Sequence, residues 1–375
     1  MVGSRPTGGP ASEEDPGASG LTCVEICAGA GGAALGLEQA GFTHAAAIES
    51  DTAACSTLRL NRGSSWTVIE SDVRGLDGRP FRGIDLLSGG VPCPPFSVAG
   101  RQLGAADERD LFPAALRLIR QSRPRAVLLE NVRGLAGARF AAYRAQVLAQ
   151  LHRLGYQTWW ELVHASEHGV PQLRPRLVLV ALREPWASGF RWPAPSPEPP
   201  PTVGEALHDL ISARGWPGAS DWARRADRIG PTIVGGSKKH GGPDLGPTRA
   251  REAWAKLGVD GRGVASEPPG PDFPLHQAPK LTPRMTARLQ GFPDDWIFCG
   301  GKTASYRQIG NAFPPPAARA LGEAIRAALE TANSARRSMP GPSGPGVTFR
   351  PGRPAADGPA SPGRARDDVL AAPAH

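Results

Sequence analysis

The sequence predicts an α/β fold, a doubly wound Rossmann-like sheet with a smaller, irregular second domain. Two observations carry that prediction. Seven short apolar runs alternate with helix-patterned stretches, at residues 21–27, 45–49, 66–69, 84–87, 127–129, 158–163 and 177–182. Strands alternating with helices build a mostly parallel sheet covered on both faces. The rhythm then stops at Trp192-Pro193-Ala194-Pro195-Ser196-Pro197-Glu198-Pro199-Pro200-Pro201, which can only run extended, and a second unit begins nearby.

Taken in order, the first run leads into Ala28-Gly29-Ala30-Gly31-Gly32-Ala33-Ala34, a glycine loop opening a helix that ends at Gly41. Glycine lets backbone approach a ligand closely, and Glu49, at the end of the second run, is placed to bind ribose hydroxyls. By itself this loop serves a nicotinamide, a flavin or another nucleotide, so an oxidoreductase stays open here. The fourth run leads into Val91-Pro92-Cys93-Pro94-Pro95-Phe96-Ser97, a cysteine in a rigid proline-flanked loop. Cys93 reads either as an exposed nucleophile or as a small buried apolar residue. The fifth run leads into Glu130-Asn131, which by itself could be a helix cap. Ligands of a doubly wound sheet sit beyond the carboxyl ends of its strands, so thiol, carboxylate and glycine loop should converge there.

The chain of 375 residues divides into a Gly/Pro/Ser-rich start at 1–20, a catalytic and cofactor-binding domain at 21–188, a second domain at 189–280, a return to the first at 281–332, and a Pro/Gly/Arg-rich tail at 333–375. Both ends lack apolar periodicity and are expected to be disordered. Five cysteines at Cys23, Cys27, Cys55, Cys93 and Cys299 form no Cys-x-x-Cys pair, which suits a reduced, cytoplasmic protein. His164 and His168 have helical spacing but no cysteine nearby, so they read as solvated or capping residues and no metal is expected. No apolar stretch reaches the roughly 18–20 residues of a membrane span.

A formal net charge of +8 suits a polyanionic partner. Between residues 214 and 256 nine basic side chains face four acidic ones, and Gly235-Gly236-Ser237-Lys238-Lys239-His240-Gly241-Gly242 reads as a cationic loop. Trp186, Trp192, Trp216, Trp222 and Trp254 fall in the same neighbourhood. The combination points to nucleic-acid contact, or else to a small domain core with a solvated turn.

The ordered motifs Glu25-Ile26-Cys27-Ala28-Gly29-Ala30-Gly31-Gly32, Glu49-Ser50-Asp51, Asp72-Val73, the Cys93 loop, Arg109-Asp110-Leu111-Phe112, Glu130-Asn131-Val132, Gln172-Leu173-Arg174-Pro175-Arg176, Leu281-Thr282-Pro283-Arg284, Arg288-Leu289-Gln290-Gly291-Phe292-Pro293 and Gln308-Ile309-Gly310-Asn311-Ala312-Phe313 are those of a known family. The chain resembles a bacterial DNA cytosine-5 methyltransferase of the restriction-modification type. The resemblance implies addition of the Cys93 thiolate to C6 of a flipped cytosine and methylation of C5 from S-adenosylmethionine. It implies that Glu130 meets charge on the ring, that Arg176 contacts the base carbonyl, and that Arg174 positions backbone or phosphate. Cofactor contacts fall on Cys27, Ala28, Gly29, Gly31, Gly32, Glu49, Ser50, Asp72, Val73, Pro92, Leu111, Asn311 and Ala312.

The implied DNA-reading residues are Arg101, Arg109, Ser237, Lys238, Lys239 and His240, with 100–112 a loop that closes over double-stranded DNA and 189–280 a target-recognition domain. A monomer serving alongside a cognate restriction endonuclease is the expected setting. The chain departs from the family where Cys27 replaces an aromatic, Ser50 a bulky residue, Val91 and Pro94 a proline and a glutamine, and Phe313-Pro314-Pro315-Pro316 small aliphatics. Alternatives are an RNA methyltransferase of the same fold, a silent DNA-binding homologue and a nicotinamide oxidoreductase. The cysteine-containing segment of the transfer-RNA branch is not found, and no catalytic histidine, tyrosine or lysine set accompanies the glycine loop.

Overall fold

The computed structural model describes residues 20–92, 110–236 and 244–338. The expectations placed on Cys93, Arg101, Arg109, Ser237, Lys238, Lys239 and His240, and on most of the two ends, lie outside the described residues.

All seven apolar runs become strands of one sheet: β1 (Thr22–Ile26), β2 (Thr43–Glu49), β3 (Val68–Glu70), β4 (Leu86–Gly90), β5 (Ala126–Val132), β6 (Tyr156–His164) and β7 (Pro175–Arg183). Their order is β3-β2-β1-β4-β5-β7-β6. The first five pair in parallel, while β7 lies antiparallel between β5 and β6. The cause is the short link at 165–174, because a parallel crossover needs a dozen or more residues.

Ten helices follow in the described chain: α1 (Gly32–Gln39), α2 (Thr52–Arg62), α3 (Phe112–Ser122), α4 (Ala141–Arg153), α5 (Val203–Ser212), α6 (Ala219–Arg225), α7 (Thr248–Ala255), α8 (Pro283–Leu289), α9 (Lys302–Asn311) and α10 (Pro315–Ser338). Side chains alternate across a strand, so β5 sends Val127 and Leu129 to the face covered by Phe112, Ile119 and Leu151, and Leu128 to the face covered by Leu321 and Ile325. On that second face α1 and α10 meet backbone to backbone: a Cβ on Gly36 would stand 2.3 Å from the Pro315 carbonyl. The last helix brings the chain back to the first domain after the second, and it runs beyond residue 332 to Ser338.

A separate core forms around Trp222 and Trp254 and draws in Leu281, two positions before α8, Met285 and Leu289 of α8, and Tyr306 of α9. Trp216, Trp222 and Trp254 are buried, with the Trp216 indole donating to the Phe273 carbonyl and Trp222 to Gly258. Trp186 and Trp192 belong to the first core. These rings are packing residues and offer no stacking face, so the aromatic part of the nucleic-acid argument does not hold. One charge of the basic excess is neutralised from outside the segment, by the Arg214–Glu267 pair, and Arg224 and Arg228 pair within it, with Asp221 and Asp227. No helix among the described residues is long and apolar enough to cross a membrane.

Candidate active site

At the carboxyl ends of β1, β2, β4 and β5 lies a cavity of about 450 Å³, within the size range of small-ligand sites. Its floor is the glycine loop. Cys27, Gly29 and Gly31 hold positive φ angles of 52°, 55° and 85°, which turn the chain sharply out of β1. For Cys27 that conformation is costly, roughly 1 kcal/mol or more. Gly32 has no room for a side chain, since a Cβ there would stand 2.3 Å from the Phe313 carbonyl.

Glu49 ties this loop to the next. One carboxylate oxygen accepts from the Gly29 amide at 2.8 Å, and the other accepts from the amides of Ser50 at 2.7 Å and Asp51 at 2.8 Å. Glu49 therefore lines the cavity while holding the turn that opens α2. Asp72 lines the wall beyond β3, where hydrogen bonds from Arg74 keep its carboxyl below the ordinary range. Ala28, Ser50, Val73, Pro92, Leu111 and Ala312 complete the expected set of lining residues. Among the cofactor residues expected from sequence, Gly31 alone is absent from the wall; its left-handed turn caps α1 instead.

The catalytic candidates separate. Glu130, opposite Gly90 in the β4–β5 ladder, projects into the cavity and pairs with Arg176 at 2.6 Å. Arg176 stands opposite Val132 on the antiparallel β7, which puts it one diagonal from Glu130. Both side chains are largely buried. Burial pushes the Glu130 carboxyl above its ordinary range, against the opposing pull of Arg176 and Arg174.

Arg174, two positions earlier, goes elsewhere. It precedes β7 with a φ of 23°, and its fully buried guanidinium donates to the carbonyls of Ile233 at 2.9 Å, Gly310 at 2.8 Å and Ala312 at 2.5 Å. It does not line the cavity, and both its terminal nitrogens are committed to backbone while its Nε is buried without a hydrogen-bond partner. Of the two expectations for Arg174, positioning of backbone fits this geometry and contact with a phosphate does not. Gln172 reinforces the same junction, accepting from the Ile233 amide and donating to the Leu289 carbonyl and the Gln290 side chain.

Cys93 lies just past the described chain, yet its loop begins and ends at this cavity. Asn131 donates to the Val91 carbonyl at 2.6 Å, and the Leu111 amide donates to the Pro92 carbonyl at 3.1 Å. Asp110, clasped by the Tyr143 hydroxyl at 2.7 Å, fixes the far end.

Several wall residues escaped the sequence reading: Glu25, Asp51, Arg74, Arg307, Gln308 and Phe313. Glu25, Gln308 and Phe313 stood inside motifs already singled out, so the signal was present but unassigned. Glu25 is 1% exposed, with His44 3.8 Å away and one carboxylate oxygen lacking any hydrogen-bond partner. Burial pushes this carboxyl up as well.

A doubly wound sheet whose carboxyl ends gather a glycine loop, the Glu49 carboxylate and a buried Glu–Arg pair around one cavity is the architecture of an α/β enzyme with a small-ligand site. Residues 21–327 match the C-5 cytosine-specific DNA methylase family. The chain belongs to that family and is a DNA cytosine-5 methyltransferase. It is 58% identical to the Type II methyltransferase M.NaeI of Lentzea aerocolonigenes, over 84% of this chain and 77% of the relative. It is 51% identical to the Type II methyltransferase M.NgoMIV of Neisseria gonorrhoeae, over 84% of this chain and 99% of the relative. The fold is shared with a candidate DNA modification methyltransferase encoded within an E. coli prophage, with a TM-score of 0.59 and 23% identity, covering 83% of this chain and 99% of that one. These relatives place the chain with bacterial restriction-modification methyltransferases, and the RNA and oxidoreductase alternatives are not favoured.

Proposed function

We propose that the chain methylates one cytosine of a short duplex sequence through a transient Cys93–C6 bond, with the flipped base held at the Glu130 end of the cavity. Convergence of Glu130, held by Arg176, and of both ends of the Cys93 loop on one cavity is the observation that supports this reading most. Cys93 as a thiolate adds to C6, and the electron pair moves toward N3, where protonated Glu130 donates a hydrogen bond. Arg176 keeps Glu130 oriented and reaches the base carbonyl. With C5 then nucleophilic, methyl transfer is followed by loss of the C5 proton to a base and of the Cys93 thiolate from C6, which restores the aromatic ring.

S-adenosylmethionine is the proposed methyl donor, supplying an electrophilic methyl group when bound. The residues fit it: bare backbone at Gly29 and Gly32, carboxylates at Glu49 and Asp72, and on Glu25 a buried oxygen without a partner. Glu49 and Asp72 suit hydroxyl and amine donors, while Val73, Leu111 and Phe313 give apolar wall for a base. Asn311 donates to the Gly236 carbonyl at 3.1 Å, so the wall of the cavity adjoins the segment that enters the cationic loop at 237–243. Residues 189–280 are the proposed target-reading unit. A monomer acting in the cytoplasm is the form we infer, and the Type II names of the relatives support a setting beside a cognate endonuclease.

Incubation with duplex oligonucleotides containing 5-fluorocytosine tests the covalent route. The expected result is a protein–DNA adduct stable to denaturant, lost in Cys93→Ser, which retains duplex binding. Methylation by Cys93→Ser at a rate near that of the parent would overturn it.

A further inference from the structure

The end of the sheet opposite the active site carries a second concentration of charge. A hollow of about 340 Å³ lies between α3 and α4, bordered by Arg117, Arg120 and Arg153. A second of about 240 Å³ adjoins it, shares Arg120 and Arg153, and adds Arg123 and Arg183. No aspartate or glutamate lines either hollow among the described residues. Arg120, Arg123 and Arg153 are exposed. Arg117 is fixed by donating to the carbonyls of Leu76, Val73 and Arg74, which hold its guanidinium in place without neutralising it. The floor is firm, with Ile119 and Tyr156 buried and the Tyr156 hydroxyl donating to the Pro124 carbonyl at 2.6 Å.

We propose that this basin binds the phosphodiester backbone of a second DNA segment, separate from the duplex that delivers the target base. Arg120, Arg123, Arg153 and Arg183, strung across two joined hollows, span more than one phosphate, and arginine forks pair phosphate oxygens two at a time, while Arg117, with its terminal nitrogens held by backbone, adds only its charge. The substrate itself is the polyanion always at hand. Glu130 marks the catalytic end of β5, roughly 13 Å of strand rise separate it from Ala126, and the second hollow lies at the Ala126 end, where Arg183 follows Leu182, the partner of Ala126. A duplex is stiff over roughly 150 base pairs, and folding it back within a few turns costs several kcal/mol. One straight duplex engaged at Glu130 therefore does not cover the basin, and a separate segment does. Such a site would let the enzyme hold one stretch of DNA while sampling another.

The test uses the full chain, its Arg120→Ala, Arg153→Ala double variant and a short duplex of A·T pairs only, which contains no cytosine. Native mass spectrometry should find two duplexes per wild-type chain and one per variant chain. The slope of log affinity against log salt for the weaker site should fall by roughly 2, at about 0.9 per lost phosphate contact. The variant should unfold at the parent's temperature and methylate saturating genomic DNA within threefold of the parent. One duplex per chain in both proteins, or an unchanged slope, would overturn the proposal. So would equal retention of polyglutamate and duplex by the wild-type basin, which would assign it to an acidic protein partner.

Discussion

The Glu130 carboxylate and the Arg176 guanidinium meet at 2.6 Å, both largely buried, on strands that run in opposite directions. Two oppositely charged groups taken out of water together must satisfy each other, and each is destabilised if its partner is removed.

The first prediction concerns pH. Burial raises the Glu130 carboxyl above its ordinary range, so the protonated form persists to higher pH than in water, and methylation that needs it falls as pH rises through that raised value. Arg176 opposes the rise, so Arg176→Gln should move the falling limb of kcat/KM to still higher pH. Glu130→Gln should remove the limb and lower kcat by roughly 10²–10⁴. A limb that stays at the same pH in Arg176→Gln would show that another group titrates.

Arg174 leads to a stability prediction. Replacement by Met strands three buried carbonyls, each costing about 1–3 kcal/mol, and the unfolding temperature should fall by roughly 6 °C or more on a scale of about 2–4 °C per kcal/mol. Arg174→Lys should not rescue it, because one ammonium does not span carbonyls on two segments. If Arg174→Met unfolds at the parent's temperature and loses only duplex affinity, Arg174 serves phosphate.

Gly36→Ala reverses the usual sign of a helix substitution. In an open helix that change stabilises by about 0.5–1 kcal/mol. Here the new Cβ would meet the Pro315 carbonyl at 2.3 Å and the Arg319 amide at 2.8 Å, so α1 and α10 must separate. A loss of about 1–3 kcal/mol is expected in denaturant unfolding; a gain would mean the two helices are not in contact.

Gly235→Ala should weaken cofactor binding from outside the cavity. Its Cβ would stand 2.5 Å from the Asn311 side-chain oxygen and 2.7 Å from the Arg307 carbonyl, both on wall residues. Titration calorimetry with S-adenosylhomocysteine should show affinity lower by at least tenfold, about 1.4 kcal/mol. Unchanged affinity would uncouple the 230–236 segment from the site.

Much of this was legible along the chain, and the failures have identifiable causes. The seven strands appeared as apolar runs because a sheet buried on both faces leaves little polar alternation to confuse them. Arg174 and Arg176 stand two apart in one motif and would share a face on a continuous strand, so spacing alone did not separate them. The strand begins only at Pro175, however, and the positive φ at Arg174 turns its side chain into the junction between domains. The tryptophans suggested a nucleic-acid surface because composition reports neither side of a fold; burial made them core.

Sequence alone determined the sheet, the glycine loop, the cofactor wall and the chemistry expected of Cys93 and Glu130, because those features depend on residues close together or at ordered strand ends. Tertiary structure decided that Arg176 pairs with Glu130 while Arg174 enters the junction between domains, how Asn131 and Leu111 anchor the ends of the Cys93 loop, and where charge gathers on the far edge. Those outcomes arise from contacts between segments up to 138 positions apart, as in the bond from Arg174 to Ala312, and no local pattern encodes the geometry of such a meeting.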